Sequence, residues 1–275
     1  MGDSQTLPGG RLISLTHGPP VALGLRLWDP LYDRQADEGF TVTAQLDPGA
    51  VRPVAALRSG AGIYFFRSLP GPPDDSPRRV TFRVVDQRAR FLPVTLSLTL
   101  PGPLPGVLEP EGPGLYRLRL FSSVLRTDLS AMAVVRTQLW DAGTDRPAAR
   151  ALLTVTAGGE RHTGLTDDEG RLCLPFPYPV LRRPLLAEGA GPVPLHQHTW
   201  PAEVTVAYGR LVTPDLAAIL GQAPGLIIAD PDQDPPRPLP TRTIGLPFGT
   251  ELLLRSGRHP ALLVQPGTPA APGDS

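Results

Sequence analysis

Apolar and polar residues alternate with a period of two in run after run along the chain, the spacing that puts one face of a strand in a core and the other in water. The clearest run is Val94-Thr95-Leu96-Ser97-Leu98-Thr99-Leu100, in which aliphatic and hydroxyl side chains exchange places at every step. Leu23, Leu25 and Leu27 share one face while Arg26 takes the other, until Asp29-Pro30 ends the strand, because proline cannot donate to a ladder. Phe40 to Ala44, Gly62 to Phe66 and Val80 to Asp86 read as further strands, followed in the second half by Ala133 to Trp140, Leu153 to Ala157, Leu172 to Leu174 and Ala202 to Tyr208. Leu115 to Phe121 alternates too and either opens the second module or bridges the two. One stretch breaks the period: Thr213 as a capping hydroxyl, Pro214 at the first helical position and Gly221 just past the end predict a short helix. Glu251 to Arg255 and Ala261 to Val264 flank Ser256 to Pro260 as a hairpin would.

The pattern occurs twice. Leu27-Trp28-Asp29 and Asp33-Arg34 return as Leu139-Trp140-Asp141 and Asp145-Arg146, and the Thr-Val-Thr-Ala blocks at Thr41 and Thr154 follow after a one-residue slip. Ser59 to Gly62, leading into Ile63 to Phe66, stands where Thr166 to Arg171, leading into Leu172 to Leu174, stands in the later copy, and Gly170 can take positive φ where the chain reverses. The fold class is therefore all-β: two tandem sandwiches with a carboxy-terminal segment holding the helix and the hairpin. The expected limits are an arm at 1–19, a first sandwich at 20–101, a Pro/Gly linker at 102–114, a second sandwich at 115–210, the helix and hairpin segment at 211–265 and a disordered tail at 266–275. The repeat is expected to stop at Arg210 and to leave unpaired elements free to dock on a neighbour. Trp28 and Trp140 are expected in the two cores, and Trp200, without a counterpart, at a contact surface.

Composition narrows the function. Thirty-six prolines and 29 glycines in 275 residues, with 41% apolar content, suit many short strands joined by rigid turns. Twenty-six basic residues balance 26 acidic ones, which excludes a strong electrostatic pull towards nucleic acid or an anionic membrane. Every basic residue is arginine, as a GC-rich coding bias produces. Cys173 is the lone cysteine, so no intramolecular disulfide forms, and its apolar run predicts a buried, inert thiol. The amino terminus lacks the charged and apolar regions of a secretion signal, and no apolar run nears the roughly 20 residues of a membrane span. The expectation is a cytoplasmic protein.

Asp145-Arg146-Pro147 through Val155, followed by Thr166-Asp167-Asp168-Glu169-Gly170-Arg171-Leu172, resembles the carboxypeptidase regulatory-like domains. That resemblance covers about a sixth of the chain. It implies transthyretin-like or immunoglobulin-like sandwiches, usually accessory modules without activity. Leu120 to Arg126 and Pro175-Phe176-Pro177-Tyr178-Pro179 resemble the two-module proteins of phage-tail-like contractile injection systems. This implies a cap or accessory component whose partners are other protein subunits, copies of itself included.

Candidate chemistry is sparse. His196 and His198 form a His-x-His which, on a strand, sends both imidazoles to one face. With Tyr178 upstream the set is similar to intradiol ring-cleaving dioxygenases, which hold ferric iron through two tyrosines and such a pair, but no tyrosine lies between Tyr116 and Tyr178 to complete it. Asp230, Asp232 and Asp234 have calcium-like spacing, yet Pro235 and Thr241 stand where a calcium loop needs glycine and glutamate. Asp167-Asp168-Glu169 is accounted for by its turn. No nucleophile elbow, phosphate-binding glycine loop or zinc-spaced cluster occurs. The reading is a non-enzymatic structural or adaptor subunit with no cofactor and no metal; the alternatives are the iron enzyme and a glycan- or peptide-binding sandwich.

Overall fold

The computed structural model describes residues 23–36, 38–47, 52–66, 78–100, 106–112, 114–180, 194–211 and 215–267. The expected arm at 1–19, the Leu69 to Asp75 loop and all but the first two residues of the expected tail lie outside them. The described chain folds as two β-sandwiches of one plan.

The first sandwich holds β1 (Gly24–Asp29), β2 (Arg34–Gln35), β3 (Phe40–Asp47), β4 (Val54–Ala55), β5 (Leu57–Arg58), β6 (Tyr64–Phe65), β7 (Arg78–Asp86), β8 (Val94–Leu100), β9 (Leu108–Gly112) and β10 (Leu115–Arg119). One sheet runs β5-β6-β1-β10-β9 with β2 on the end of β1, and the other runs β4-β3-β7-β8. The inward side chains of both meet in one core, where Leu25, Leu27, Leu118, Phe82 and Leu96 are all but inaccessible to water. Burying each such side chain contributes about 1.5–3 kcal/mol. In β8 the alternation is realised as the sequence predicts: Val94, Leu96 and Leu98 are buried.

The second sandwich holds β11 (Ala133–Asp141), β12 (Arg146–Pro147), β13 (Leu152–Ala157), β14 (Glu160–Leu165), β15 (Arg171–Phe176), β16 (Thr199–Ala207), the helix α1 (Leu216–Leu220), β17 (Leu226–Ile228), β18 (Pro238–Leu239), β19 (Arg242–Pro247), β20 (Leu252–Leu254) and β21 (Leu262–Gln265). Its sheets are β12-β11-β21-β17-β18, with β15 and β20 also on β11, and β14-β13-β16-β19. Strand for strand, β1 matches β11, β3 matches β13, β7 matches β16 and β8 matches β19. The parallel partner of β1, strand β10, matches β20 and β21, which lie parallel on β11 one after the other.

The duplication extends to single hydrogen bonds. Ala36 N donates to Leu27 O at 2.9 Å, as Ala148 N does to Leu139 O at 2.9 Å. In the reversing turns Gly62 N donates to Ser59 O at 3.0 Å and Gly170 N to Asp167 O at 3.1 Å. The side chain of the first turn residue then accepts from the amide four positions on, Ile63 N to Ser59 Oγ at 3.1 Å and Arg171 N to Asp167 Oδ1 at 2.8 Å. Both glycines have positive φ, 74° at Gly62 and 73° at Gly170. A Cβ on Gly170 would lie 2.4 Å from Leu139 O.

Several expected boundaries move. Leu115 to Arg119 belongs to the first sandwich, since β10 pairs with β1 from Gly24–Leu115 to Trp28–Arg119, and residues 108–112 of the expected linker are strand β9. The crossover between modules is instead 120–132. The repeat does not stop at Arg210: β19, β20 and β21 complete the second sandwich, with α1, β17 and β18 inserted between β16 and β19. The expected hairpin is two strands on the same edge of β11 separated by a turn, closed by Ser256 N to Ala261 O at 3.0 Å. The helix is capped by Asp215, whose Oδ1 accepts from Ala217 N at 3.0 Å; Thr213 and Pro214 lie outside the described residues.

Candidate functional site

The repeated Trp-Asp corners do not pack in the cores as expected. Trp28 and Trp140 stand half-exposed on the outward faces of β1 and β11. Each indole Nε1 donates to the aspartate five residues on, Asp33 Oδ1 at 3.0 Å and Asp145 Oδ1 at 2.8 Å. Those aspartates hold φ of 47° and 53°, the left-handed turn that short acidic side chains tolerate. The buried member of each corner is the residue after the tryptophan, Asp29 and Asp141. Each also accepts an amide two residues on, Leu31 N at 3.1 Å and Gly143 N at 2.9 Å.

The two buried carboxylates take their cations from different places. Asp29 is held by Arg126 of the crossover, Nη1 to Oδ1 at 3.0 Å and Nη2 to Oδ2 at 2.7 Å, while Arg126 Nε reaches Asp128 Oδ1 at 2.9 Å. Arg126 is only 2% exposed. Burial disfavours its charge, but the bonds and charges of Asp29 and Asp128 outweigh it and raise its pKa. Asp141 is held by Arg210, Nε to Oδ2 at 2.8 Å, and by Tyr208 Oη at 3.0 Å. Burial would lift the Asp141 pKa, yet bonds from Arg210, Gly143 N and Tyr208 win and set it at about 2. Burial, and then the neighbouring Asp141, push Tyr208 to about 12. All these charges serve the fold: each corner locks a strand end, and the first also ties down the crossover.

The junction between the modules is built from the inserted helix and the crossover. Leu216 of α1 enters the first core, and Ile219 joins Leu152 and Leu165 in a small apolar cluster with Leu92 and Phe121 packed against it. Asp215 caps α1 with Oδ1 and accepts from Ser97 N of β8 with Oδ2 at 2.7 Å. One carboxylate thus starts the helix of one module and seals an outward amide on the edge strand of the other. Arg136 of β11 donates to Val124 O at 3.1 Å, and Tyr32 bonds Asp128 O. A cleft of about 510 Å³ remains between the modules, lined by Leu31, Phe121, Arg161, His162, Phe176 and Leu220 among others. His162 stacks on Phe176 with centroids 4.6 Å apart, and burial, opposed by Glu160, lowers its pKa. Cys173 lines the same cleft, 1% exposed, its pKa raised by burial, the buried thiol that the sequence predicts.

His196 lies in a 3-10 turn, Leu195–Gln197, and His198 ends it just before β16 begins at Thr199, so the pair is not on one face of a strand. His198 meets the Trp200 ring at 4.4 Å, and Tyr178 stacks on Trp200 and Phe248 at 5.3 and 4.8 Å while its oxygen accepts from Gly249 N at 2.8 Å. Tyr178 and His198 thus serve an aromatic cluster closing one end of the second core. Trp200 is 8% exposed and part of that core, not a contact surface. Among the described residues no three His, Cys, Asp or Glu side chains gather as metal ligands would. Nor is any helix among them long and apolar enough to cross a membrane.

No family model matches the chain, and no curated protein does. Among solved structures the chain is similar to the 5-hydroxyisourate hydrolase of Klebsiella pneumoniae, at 17% identity and TM-score 0.23 over 50% of this chain and 100% of that one. It is also similar to the shaft pilin SpaA of Lactobacillus rhamnosus GG, at 9% identity and TM-score 0.24 over 90% of this chain and 98% of that one. The minor pilin GBS52 of Streptococcus agalactiae matches at 7% identity and TM-score 0.24 over 91% and 99%. These superpositions are loose; the sandwich assignment rests on the strand pairings and the two cores.

Proposed function

We propose that the chain is a non-enzymatic structural or adaptor subunit of a larger protein assembly, working from the cytoplasm. The observation that carries this reading is the junction: Asp215 on Ser97 and Leu216 in the first core tie the second sandwich to the first, and Arg126 buried on Asp29 anchors the crossover between them. Two modules tied in this way suit a spacer in a particle. The buried charges support the same reading, since each is consumed by a strand end or the crossover. The finer proposal, a cap or accessory component of a phage-tail-like contractile injection particle, rests on the resemblance around Leu120 to Arg126 and Pro175 to Pro179. A tagged chain expressed at native level and run on a density gradient tests both. Co-sedimentation with sheath and tube proteins is the expected result. A chain found wholly in the low-mass fractions, or one purified with stoichiometric iron, overturns it.

A further inference from the structure

Among the described residues β19 ends its sheet, as β8 ends the equivalent one. The bonding pattern of β19 follows from one contact. Phe248 N donates to His198 O at 3.1 Å, so with the register Trp200–Leu246, Ala202–Ile244 and Val204–Arg242 the even-numbered residues bond β16. Thr243 and Gly245 therefore turn their N–H and C=O groups away from the sheet. At β8 the outward amide of Ser97 is sealed by Asp215, whereas at β19 no described residue seals Thr243 or Gly245. The inward face carries a second anomaly. Arg242 pairs with Val204, which is 0% exposed, and so shares the core-facing side with Ile244 and Leu246. Its Nη1 donates to Arg255 O at 2.7 Å, and among the described residues it has no carboxylate partner. It is half-buried, and that burial lowers its pKa.

Arg242, Thr243, Ile244 and Gly245 form one wall of an opening of about 930 Å³ whose other walls include Leu252 to Arg255 and Arg258. An inward charge discourages an arbitrary strand from adding to an edge. The same guanidinium accepts a strand that brings its own counter-charge, so one group both rejects and selects. Asp230 and Asp232 line the same opening and repel a run of negative charge, such as a nucleic-acid backbone or a polyacidic peptide, so the fitting occupant is a strand that brings a single carboxylate to Arg242. We propose that β19 is a docking edge, to which an extended segment of a partner protein adds as the next strand and places an Asp or Glu carboxylate on Arg242. This deepens the subunit reading and rests on it.

The probe is a library of random twelve-residue peptides displayed on phage and selected on the full chain. Enriched sequences are expected to be strand-formers with an acid at a fixed position. As synthetic peptides they should bind the R242Q chain at least about tenfold more weakly. T243P removes an outward donor while sparing the bonds to β16, and should weaken the same peptides. Selection that yields no acidic strand-formers, or peptides that bind R242Q or T243P as well as the parent, overturns the proposal. Gradient sedimentation separates this failure from failure of the subunit reading: variants that still travel with the particle remove the edge and leave the subunit. A parent chain that selects acidic strands but travels alone does the reverse.

Discussion

Replacing Asp215 tests whether the two modules are held as one unit. Its Oδ1 accepts from Ala217 N at 3.0 Å and its Oδ2 from Ser97 N at 2.7 Å. D215A removes both bonds. Losing the cap costs about 1 kcal/mol, and losing a charge-assisted bond to a backbone amide about 1.5–3 kcal/mol, so D215A should cost about 2.5–4 kcal/mol. D215N separates the two effects. Its single carbonyl oxygen still caps α1, but its amino group then faces Ser97 N–H, donor against donor, so the variant should lose about 1.5–3 kcal/mol at the junction alone. Urea unfolding followed by circular dichroism gives the free energies, and small-angle scattering shows whether the particle broadens as the modules loosen. Because Leu216 sits in the first core next to this carboxylate, the loss should appear in the first module, although the substituted residue belongs to the second. A D215N chain with the stability and scattering profile of the parent would refute the reasoning.

Further outcomes follow from the same geometry. The Asp141 carboxylate, titrating at about 2 in the folded chain, stabilises it fully above the ordinary carboxylate range and loses that contribution as pH falls towards 2; thermal melts should show about 2 kcal/mol of acid sensitivity that D141N lacks. Tyr208, at about 12, acts at the other end, its contribution fading as pH climbs from about 10 through 12. G170A, whose Cβ would meet Leu139 O at 2.4 Å with φ at 73°, should cost about 3 kcal/mol or more, against about 1 kcal/mol for G159A, which has φ of 90° but no atom within 4 Å; melting temperatures rank them. R126M leaves Asp29, 4% exposed, without its cation and should cost about 3–5 kcal/mol, part of which D29N in the same chain restores, while D145A, which breaks an exposed indole bond and leaves alanine at φ 53°, should cost about 1–2 kcal/mol by urea unfolding.

What the sequence makes legible is what depends on near neighbours. The alternation of β8 shows because that strand has a wet face and a dry one, and the repeat shows because the Trp-to-Asp bond spans five residues and the Ser59 and Asp167 turns span four. Membership of β10 in the first sandwich is hidden, since its parallel partner β1 lies some ninety positions earlier and a proline-rich stretch intervenes. The end of the second sandwich is hidden by the insertion of α1, β17 and β18, which displaces β19 from where the repeat predicts it. Arg126 carries no local signal of its role because its partner Asp29 is 97 positions away. A usable signal existed: Asp29 and Asp141 align, so each needed a cation, and the Ser122 to Arg126 run supplied a lone one. The edge Arg242 carries a weaker signal, a charge on the apolar phase of an alternating strand.

The insertion explains why two copies of one sandwich have unlike fates at the same edge. A tandem sandwich leaves its last strand with unpaired backbone groups, a template for unwanted pairing. In the first module that strand is β8, and the second module has grown a helix in its β16 to β19 connection that seats Asp215 on it. The first module has only residues 87–93 at the matching position, too short to reach out to a neighbour. Consequently the cover runs one way, from second to first, and among the described residues β19 has none. Among the described residues a pair of modules built so is polar: one end sealed from within, the other guarded by Arg242. Such a chain joins an assembly most readily by its β19 side, through contacts that satisfy Thr243, Gly245 and the guanidinium together.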